Sequence, residues 1–305
     1  MIRKAFILAF LGLVAYGVFV KWMAPKWWSA TQNTDQQNVT KAENFIYDDT
    51  ASYRNVIVGS SLSARIVTDS LQDTYNLAMG GQSIYDGLNI LKHREHLPRA
   101  VLIETNVFMR KENKVFTNAL FSPINYYSKK EIPALRKDKQ PIAIFSKIIL
   151  KGVYFSKDKI KEVLHGGRTS KISISAEIKA DNEPGDLSTK MTHDTYIESF
   201  KLPRQEDVVD SFNNLKSYVS YMQKKNVVIV FFEMPIDTRI QELPLQKFLR
   251  TKFLQTFPKS NYKYIPLPNW KHCNTFDGLH LTREDAIKYT AYLKGEIKKN
   301  HCLNY

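Results

Sequence analysis

Three short apolar runs, each broken off by a polar or glycine-rich turn, restrict the fold of this 305-residue chain more than any other feature. Asn55-Val-Ile-Val58 stops at Gly59-Ser60-Ser61, Ala100-Val-Leu-Ile-Glu104 stops at Thr105-Asn106, and Asn226-Val-Val-Ile-Val-Phe-Phe232 runs on to Pro235. Unbroken β-branched and aromatic residues, without polar alternation, predict strands buried on both faces of a parallel sheet. Shorter strands are expected at Thr74-Tyr-Asn76 and from Tyr262 to Leu267. Between them the period changes to that of helices. Ile84, Leu88 and Leu91 share a face, and Val208, Phe212, Leu215, Val219 and Met222 recur every three or four residues. Two more helices are expected, from about Leu245 to Phe257 and from Arg283 to Lys298. Strand and helix in alternation make an α/β fold.

Residues 1–28 read as an N-terminal membrane anchor. Ala5 to Val20 carry no charge, follow Arg3 and Lys4, and lead past Lys21 to Trp22, Trp27 and Trp28, where interfacial aromatics would lie. A cleaved leader with Ala15-Tyr16-Gly17 as its small-x-small site is the competing reading. It is disfavoured because the apolar run continues beyond that site. The expected topology is single-pass, with the amino terminus inside and the bulk of the chain on the extracytoplasmic side of the cell membrane. Residues 29–50 are read as a tether, because Ser29 to Lys41 are polar and without period, and Asn38-Val39-Thr40 forms a glycosylation sequon. The remaining 51–305 form the main domain. From about 107 to 205 the pattern loosens into Lys-, Tyr- and Phe-rich sequence, read as an insertion that forms either a lid or basic wall or a helical excursion with its own small core.

The net charge of +14 suits an anionic partner such as lipid headgroups or acidic glycans. Nucleic acid ranks below these, because neither zinc-type Cys/His spacing nor an aromatic RNA-binding pattern accompanies the charge. The two cysteines, Cys273 and Cys302, could pair in an oxidising compartment or remain thiols.

Chemistry-bearing residues gather where the strands end, the usual place for sites in open α/β sheets. Ser60 and Ser61 follow the first strand. Gly81 precedes a helix whose Ser83 and Asp86 form a capping box, so its N–H is either an anion donor or merely part of a loop. Asn106 after the third strand is either an amide donor or a turn residue. Asp277 and His280 stand in the turn before the last helix, which Thr282 and Asp285 cap. Three residues apart, they suit either a carboxylate that holds one imidazole nitrogen and leaves the other as a base, or a structural Asp-Gly turn with a surface His, which the motif by itself would favour.

A Ser after strand one, a Gly after strand two, an Asn after strand three and a late Asp-Gly-Leu-His, in that order, resemble the SGNH (GDSL-type) hydrolase family. The resemblance runs from about residue 54 to 298 and implies a three-layer α/β/α, flavodoxin-like parallel sheet. It implies Ser61 as nucleophile, Asp277 and His280 as its triad partners, and Ser61, Gly81 and Asn106 as oxyanion donors, with no metal and no cofactor. Ser60, Thr105 and Val107 depart from the family's Asp, Gly and Asp. With the anchor, Gly59-Ser60-Ser61 looks more like the branch that acts on cell-envelope polymers alongside membrane-bound O-acyltransferases. The expected function is therefore an anchored serine esterase or O-acyltransferase acting on a glycan or teichoic-acid-like polymer. A non-catalytic glycan-binding scaffold and a lipid esterase at the bilayer are the alternatives.

Overall fold

The computed structural model describes residues 2–22, 33–47, 53–71, 73–140, 194–195, 203–270 and 272–299. The expectations for Trp27 and Trp28, for the apolar runs at 141–155, for 179–190 and for Cys302 lie outside these. The chain divides into two compact units, Met1–Asp48 with Val115–Ser173, and Asp49–Lys114 with Ile174–Tyr305.

The first unit holds α1 (Ile2–Trp22), α2 (Thr34–Tyr47), most of α4 (Lys114–Phe121) and α5 (Pro123–Glu131). Within α1, Ile2–Val20 has a mean hydropathy of 1.8 and is long and apolar enough to cross a membrane. The stretch 29–50, expected to be a tether, instead carries α2. Its buried face mixes Ala42, Phe45 and Tyr47 with the polar Asn38 and Glu43, so no apolar period is visible in the sequence. Glu43 is fully buried and accepts from Lys129 Nζ at 2.7 Å and from the Lys137 N–H at 2.5 Å. Asn38 is also buried, so its sequon offers no exposed amide.

The second unit is an α/β domain. Strands β1 (Asn55–Val58), β2 (Thr74–Asn76), β3 (Ala100–Glu104), β4 (Val228–Phe232) and β5 (Lys263–Ile265) form a five-stranded sheet in the order β2-β1-β3-β4-β5. All four pairings are parallel, with Ile57 opposite both Asn76 and Leu102, and Ile103 opposite Phe231. The direction of winding reverses between β1 and β3, where doubly wound sheets open a crevice beyond their carboxyl ends.

Helices cover both faces, which is why the strands read as continuous apolar runs. On one face Ile57, Leu102, Val230, Phe232 and Ile265 pack with Ile240 of α7 (Thr238–Gln241) and with Ala286, Tyr289 and Leu293 of α9 (Arg283–Lys299). On the other, Phe231 meets the rings of Phe253 and Phe257, beside α8 (Pro244–Thr256), and Phe253 meets Phe212 of α6 (Gln205–Lys224). Every residue expected on the buried face of α6 is buried there. Phe108 is 1% exposed and packs on Phe212 and Phe253, so the sheet domain extends to Lys114, beyond the expected start of the insertion at 107.

Helix α3 (Ile84–Lys92) lies so close to β1 that a Cβ on Gly87 would stand 2.7 Å from Val58 Cγ1. Both sites are buried, so Gly87→Ala must displace a strand residue, at a cost of about 1–3 kcal/mol. The expected outcome is a lowered urea midpoint; an unchanged midpoint would contradict this close approach.

Candidate active site

The β1 strand delivers Gly59, Ser60 and Ser61 to the carboxyl edge of the sheet, and the short 3-10 turn Ser63–Arg65 follows. Ser60 and Ser63 are buried, and both turn inward to Glu104, the last residue of β3. Glu104 Oε1 accepts from Ser60 Oγ at 2.7 Å, and Oε2 accepts from Ser60 N at 2.9 Å, Ser63 N at 3.2 Å and Ser63 Oγ at 2.5 Å. Buried polar groups require such partners, and here a carboxyl and four donors satisfy one another. Gly59 lies against the same cluster. A Cβ there would fall 1.8 Å from Ser63 Oγ and 2.6 Å from Glu104 Oε2. With its neighbours at 60 and 63 held inward, Ser61 is the partly exposed serine of the turn. Ser60, the other serine directly after Gly59, has its hydroxyl committed to Glu104.

Asp277 and His280 arrive on a small closed loop just before α9. Thr275 and Leu281 form an antiparallel bridge, Phe276 N donates to His280 O at 3.1 Å, and Thr282 N donates to Asn274 O at 3.0 Å. Gly278 at the tip has φ +88°, a conformation that glycine adopts without steric cost. Its N–H donates to Thr275 Oγ1 at 3.1 Å, while Asp237 N donates to its carbonyl at 2.9 Å. The cap expected of Thr282 is present, with Asp285 N donating to Thr282 Oγ1, whereas the Asp285 carboxyl turns to Asn274 N.

This loop brings together residues 219 positions apart: His280 Nε2 lies 2.8 Å from Ser61 Oγ. On the other side of the ring, Nδ1 donates to Asp277 Oδ2 at 2.6 Å. Asp277 Oδ1 accepts from the backbone N–H groups of His280 at 2.7 Å and Leu279 at 3.0 Å. Partial burial pushes the Asp277 carboxyl up, but the hydrogen bonds from the His280 ring and from the two backbone groups outweigh it and hold the carboxyl below its ordinary value. With Nδ1–H fixed on Asp277, Nε2 is left to accept the serine proton. Phe276 stacks on the imidazole at 5.4 Å between centroids, and the Arg65 guanidinium lies 4.5 Å from the Phe276 centroid.

Gly81 and Asn106 stand beyond β2 and β3, the strands on either side of β1. Gly81 has φ +73°, and its loop leads to Ser83, whose N–H and Oγ both donate to Asp86 in the expected capping box. Asn106 is buried and clasps the backbone of Met234: its Nδ2 donates to Met234 O at 2.9 Å, and its Oδ1 accepts from Met234 N at 2.7 Å. Among the described residues the N–H groups of Ser61 and Gly81 and the second hydrogen of Asn106 Nδ2 have no acceptor. Asn106 also borders a cavity of about 310 Å³ beside α8, with Phe108, Leu249 and Phe253 among its walls; Ser61, Asp277 and His280 do not line it.

Cys273 donates to Ile236 O at 3.2 Å, and burial pushes its thiol up to about 11, far from reactive thiolate behaviour. Among the described residues no group of His, Cys, Asp and Glu is arranged to hold a metal ion.

Sequence reasoning missed three features of this site. Glu104 reads as the polar end of a strand, although Ser60 and Ser63 flanking Ser61 hint at an inward acceptor. The Met234 clasp uses backbone atoms and leaves no residue-type trace. The ring stack on His280 needs the closed loop to bring Phe276 and His280 side by side.

Two outcomes follow. Replacing Glu104 by Ala strands four buried donors and should destabilise the domain by about 3–5 kcal/mol, while Glu104→Gln should cost less, as read by chemical unfolding. Because folding depresses the Asp277 carboxyl, its contribution is fully present above its ordinary value of 3.8 and is lost as pH falls through the lower folded value. The stability gap between wild type and Asp277→Asn should therefore be level above about pH 5 and shrink below 3.8; a gap that widens in acid would reverse the assigned sign. Compared with protein-family models and with curated proteins, the sequence matches none.

Proposed function

We propose that the protein is an SGNH-type serine esterase or O-acyltransferase, anchored by α1 with its α/β domain on the extracytoplasmic side. The observation that carries this reading is the continuous line from Ser61 Oγ through the His280 ring to Asp277, with 2.8 Å and 2.6 Å contacts. Supporting it are the strand order and three donor hydrogens beyond β1, β2 and β3, those of Ser61 N, Gly81 N and the second of Asn106 Nδ2, that have no acceptor among the described residues.

His280 Nε2 takes the Ser61 proton as Oγ attacks the ester carbonyl, and the imidazolium so formed is stabilised by Asp277. The N–H groups of Ser61 and Gly81 and the Asn106 amide receive the oxyanion. Collapse expels the alcohol, which takes its proton from His280, and leaves an acyl group on Ser61. Water, activated by the same imidazole, then gives hydrolysis; a sugar hydroxyl gives transfer. The basic composition and the anchor favour a cell-envelope glycan or teichoic-acid-like polymer as substrate, with a membrane-bound O-acyltransferase as a partner that supplies acyl groups.

A fluorophosphonate probe should label wild type once per chain, at Ser61, as read by intact mass. Ser61→Ala should abolish labelling and His280→Ala should slow it by several orders of magnitude, whereas loss of the Asn106 donor should lower the rate on esters by about 10²–10³. Equal labelling of Ser61→Ala and wild type would sink the nucleophile assignment and favour an anchored glycan-binding role.

A further inference from the structure

Helix α1 is exposed over residues 2–15, and its cover begins at Tyr16. The cover is the stretch that follows α5 in the same unit. Ala134, in the short 3-10 turn Pro133–Leu135, packs with Tyr16, Phe19 and Val20, and the Tyr16 hydroxyl donates to Lys139 O. This fixes the depth of the turn. At about 1.5 Å per residue the uncharged run Ala5–Val20 is about 24 Å long, and the hydrocarbon core it has to cross is about 30 Å thick, so none of the run can be left outside. A spanning α1 therefore immerses Tyr16 to Val20 and carries the turn that covers them to the boundary between acyl chains and headgroups.

The chemistry of the turn suits that depth. Ile132 and Leu135, on either side of Ala134, are apolar and exposed, and α5 just before them exposes Ile124 and Tyr127, three residues apart on one face. Backbone donors are costly where water is scarce. Here the N–H groups of Ile132, Leu135 and Arg136 donate to Ser128 O, Ile132 O and Pro133 O, and Pro133 has none to offer. The flanks are basic. Lys129, Lys130, Arg136, Lys137 and Lys139 stand against Glu131 and Asp138, and the balance stays positive after Glu43 has taken up Lys129 and Asp138 has taken up Lys139. Apolar side chains set among lysine and arginine are what an interfacial segment presents to an anionic bilayer.

We infer that the turn Pro133–Leu135 and the basic run around it form a second membrane contact, seated in the bilayer interface beside α1, with Ile132 and Leu135 among the lipids and the cations on anionic phospholipid headgroups. This contact rests on α1 spanning the bilayer, as proposed above, and is independent of the chemistry at Ser61.

The full-length chain is placed in nanodiscs of equal parts phosphatidylglycerol and phosphatidylcholine, with the photo-cross-linking residue p-benzoylphenylalanine replacing Ile132, Leu135, Leu11 or Ile287 in turn, and the adducts are identified by intact mass. Leu11 reports on α1. Ile287, on α9, is 50% exposed, the same as Ile132, and serves as the control. Ile132 and Leu135 should give lipid adducts about 10-fold more often than Ile287, with a phosphatidylglycerol-to-phosphatidylcholine ratio about 3- to 5-fold above that at Leu11. Yields at both positions no higher than at Ile287, or a lipid ratio equal to that at Leu11, overturn the inference. So do adducts of twice the chain's mass, or cross-links within the chain in place of lipid, which name a second copy or the chain itself as what covers the turn. Lipid adducts at Leu11 with none at Ile132 and Leu135 defeat this contact and leave the anchor standing. Their absence at Leu11, whatever the turn does, defeats the anchor reading.

Discussion

The carboxyl of Glu104, at the end of the central strand β3, is the point on which the rest of the site hangs. It is fully buried and accepts from both backbone and side chain of Ser60 and Ser63, the residues on either side of the Ser61–Leu62 pair. A carboxyl in that position would be costly without donors, and four buried donors would be costly without it. The local sequence follows from this mutual need. Gly59 must be glycine because a Cβ would overlap Ser63 and Glu104, Ser60 and Ser63 must present donors inward, and the serine left over is turned toward His280. One strand further on, the Asn106 amide ties the end of β3 to Met234 beyond β4 by the same means, side-chain groups exchanging hydrogen bonds with a neighbouring strand end. The crest of the sheet is thus stitched crosswise, and the geometry at Ser61 is inherited from strands that do not carry it.

Much of the fold was legible because burial on two faces leaves its mark on composition: β1, β3 and β4 lie within the runs that named them, and α6 buries the five residues its spacing selected. Asp277 and His280 were legible for a different reason: their spacing alone suits a structural Asp-Gly turn with a surface His, and it is the order along the chain of a Ser, a Gly, an Asn and a late Asp-x-x-His that singles them out. What stayed hidden depends on tertiary contacts. The α2 helix has a buried face half made of polar groups, so the rule that reads apolar spacing passes over it. Phe108 looks like part of the loose sequence that begins at 107 until the rings of Phe212 and Phe253 are seen around it. Glu104 is a polar letter at a strand end, and only three dimensions reveal that it points inward.

The two acidic groups of the site share one property with a consequence for its chemistry. Among the described residues neither Asp277 nor Glu104 is paired with a lysine or arginine; both are satisfied by N–H and O–H donors, with the His280 ring as the one titratable partner. Against partial burial, the His280 ring, and after it the backbone N–H groups of His280 and Leu279, hold the Asp277 carboxyl below its ordinary value, and none of these donors is a fixed cation that would cancel its charge. A guanidinium on Asp277 would have fixed the carboxylate equally well while neutralising the field that an imidazolium at His280 needs. Arg65 is stacked on Phe276 rather than set on Asp277, so the negative charge stays with the base and the guanidinium is held on the ring that stacks on His280.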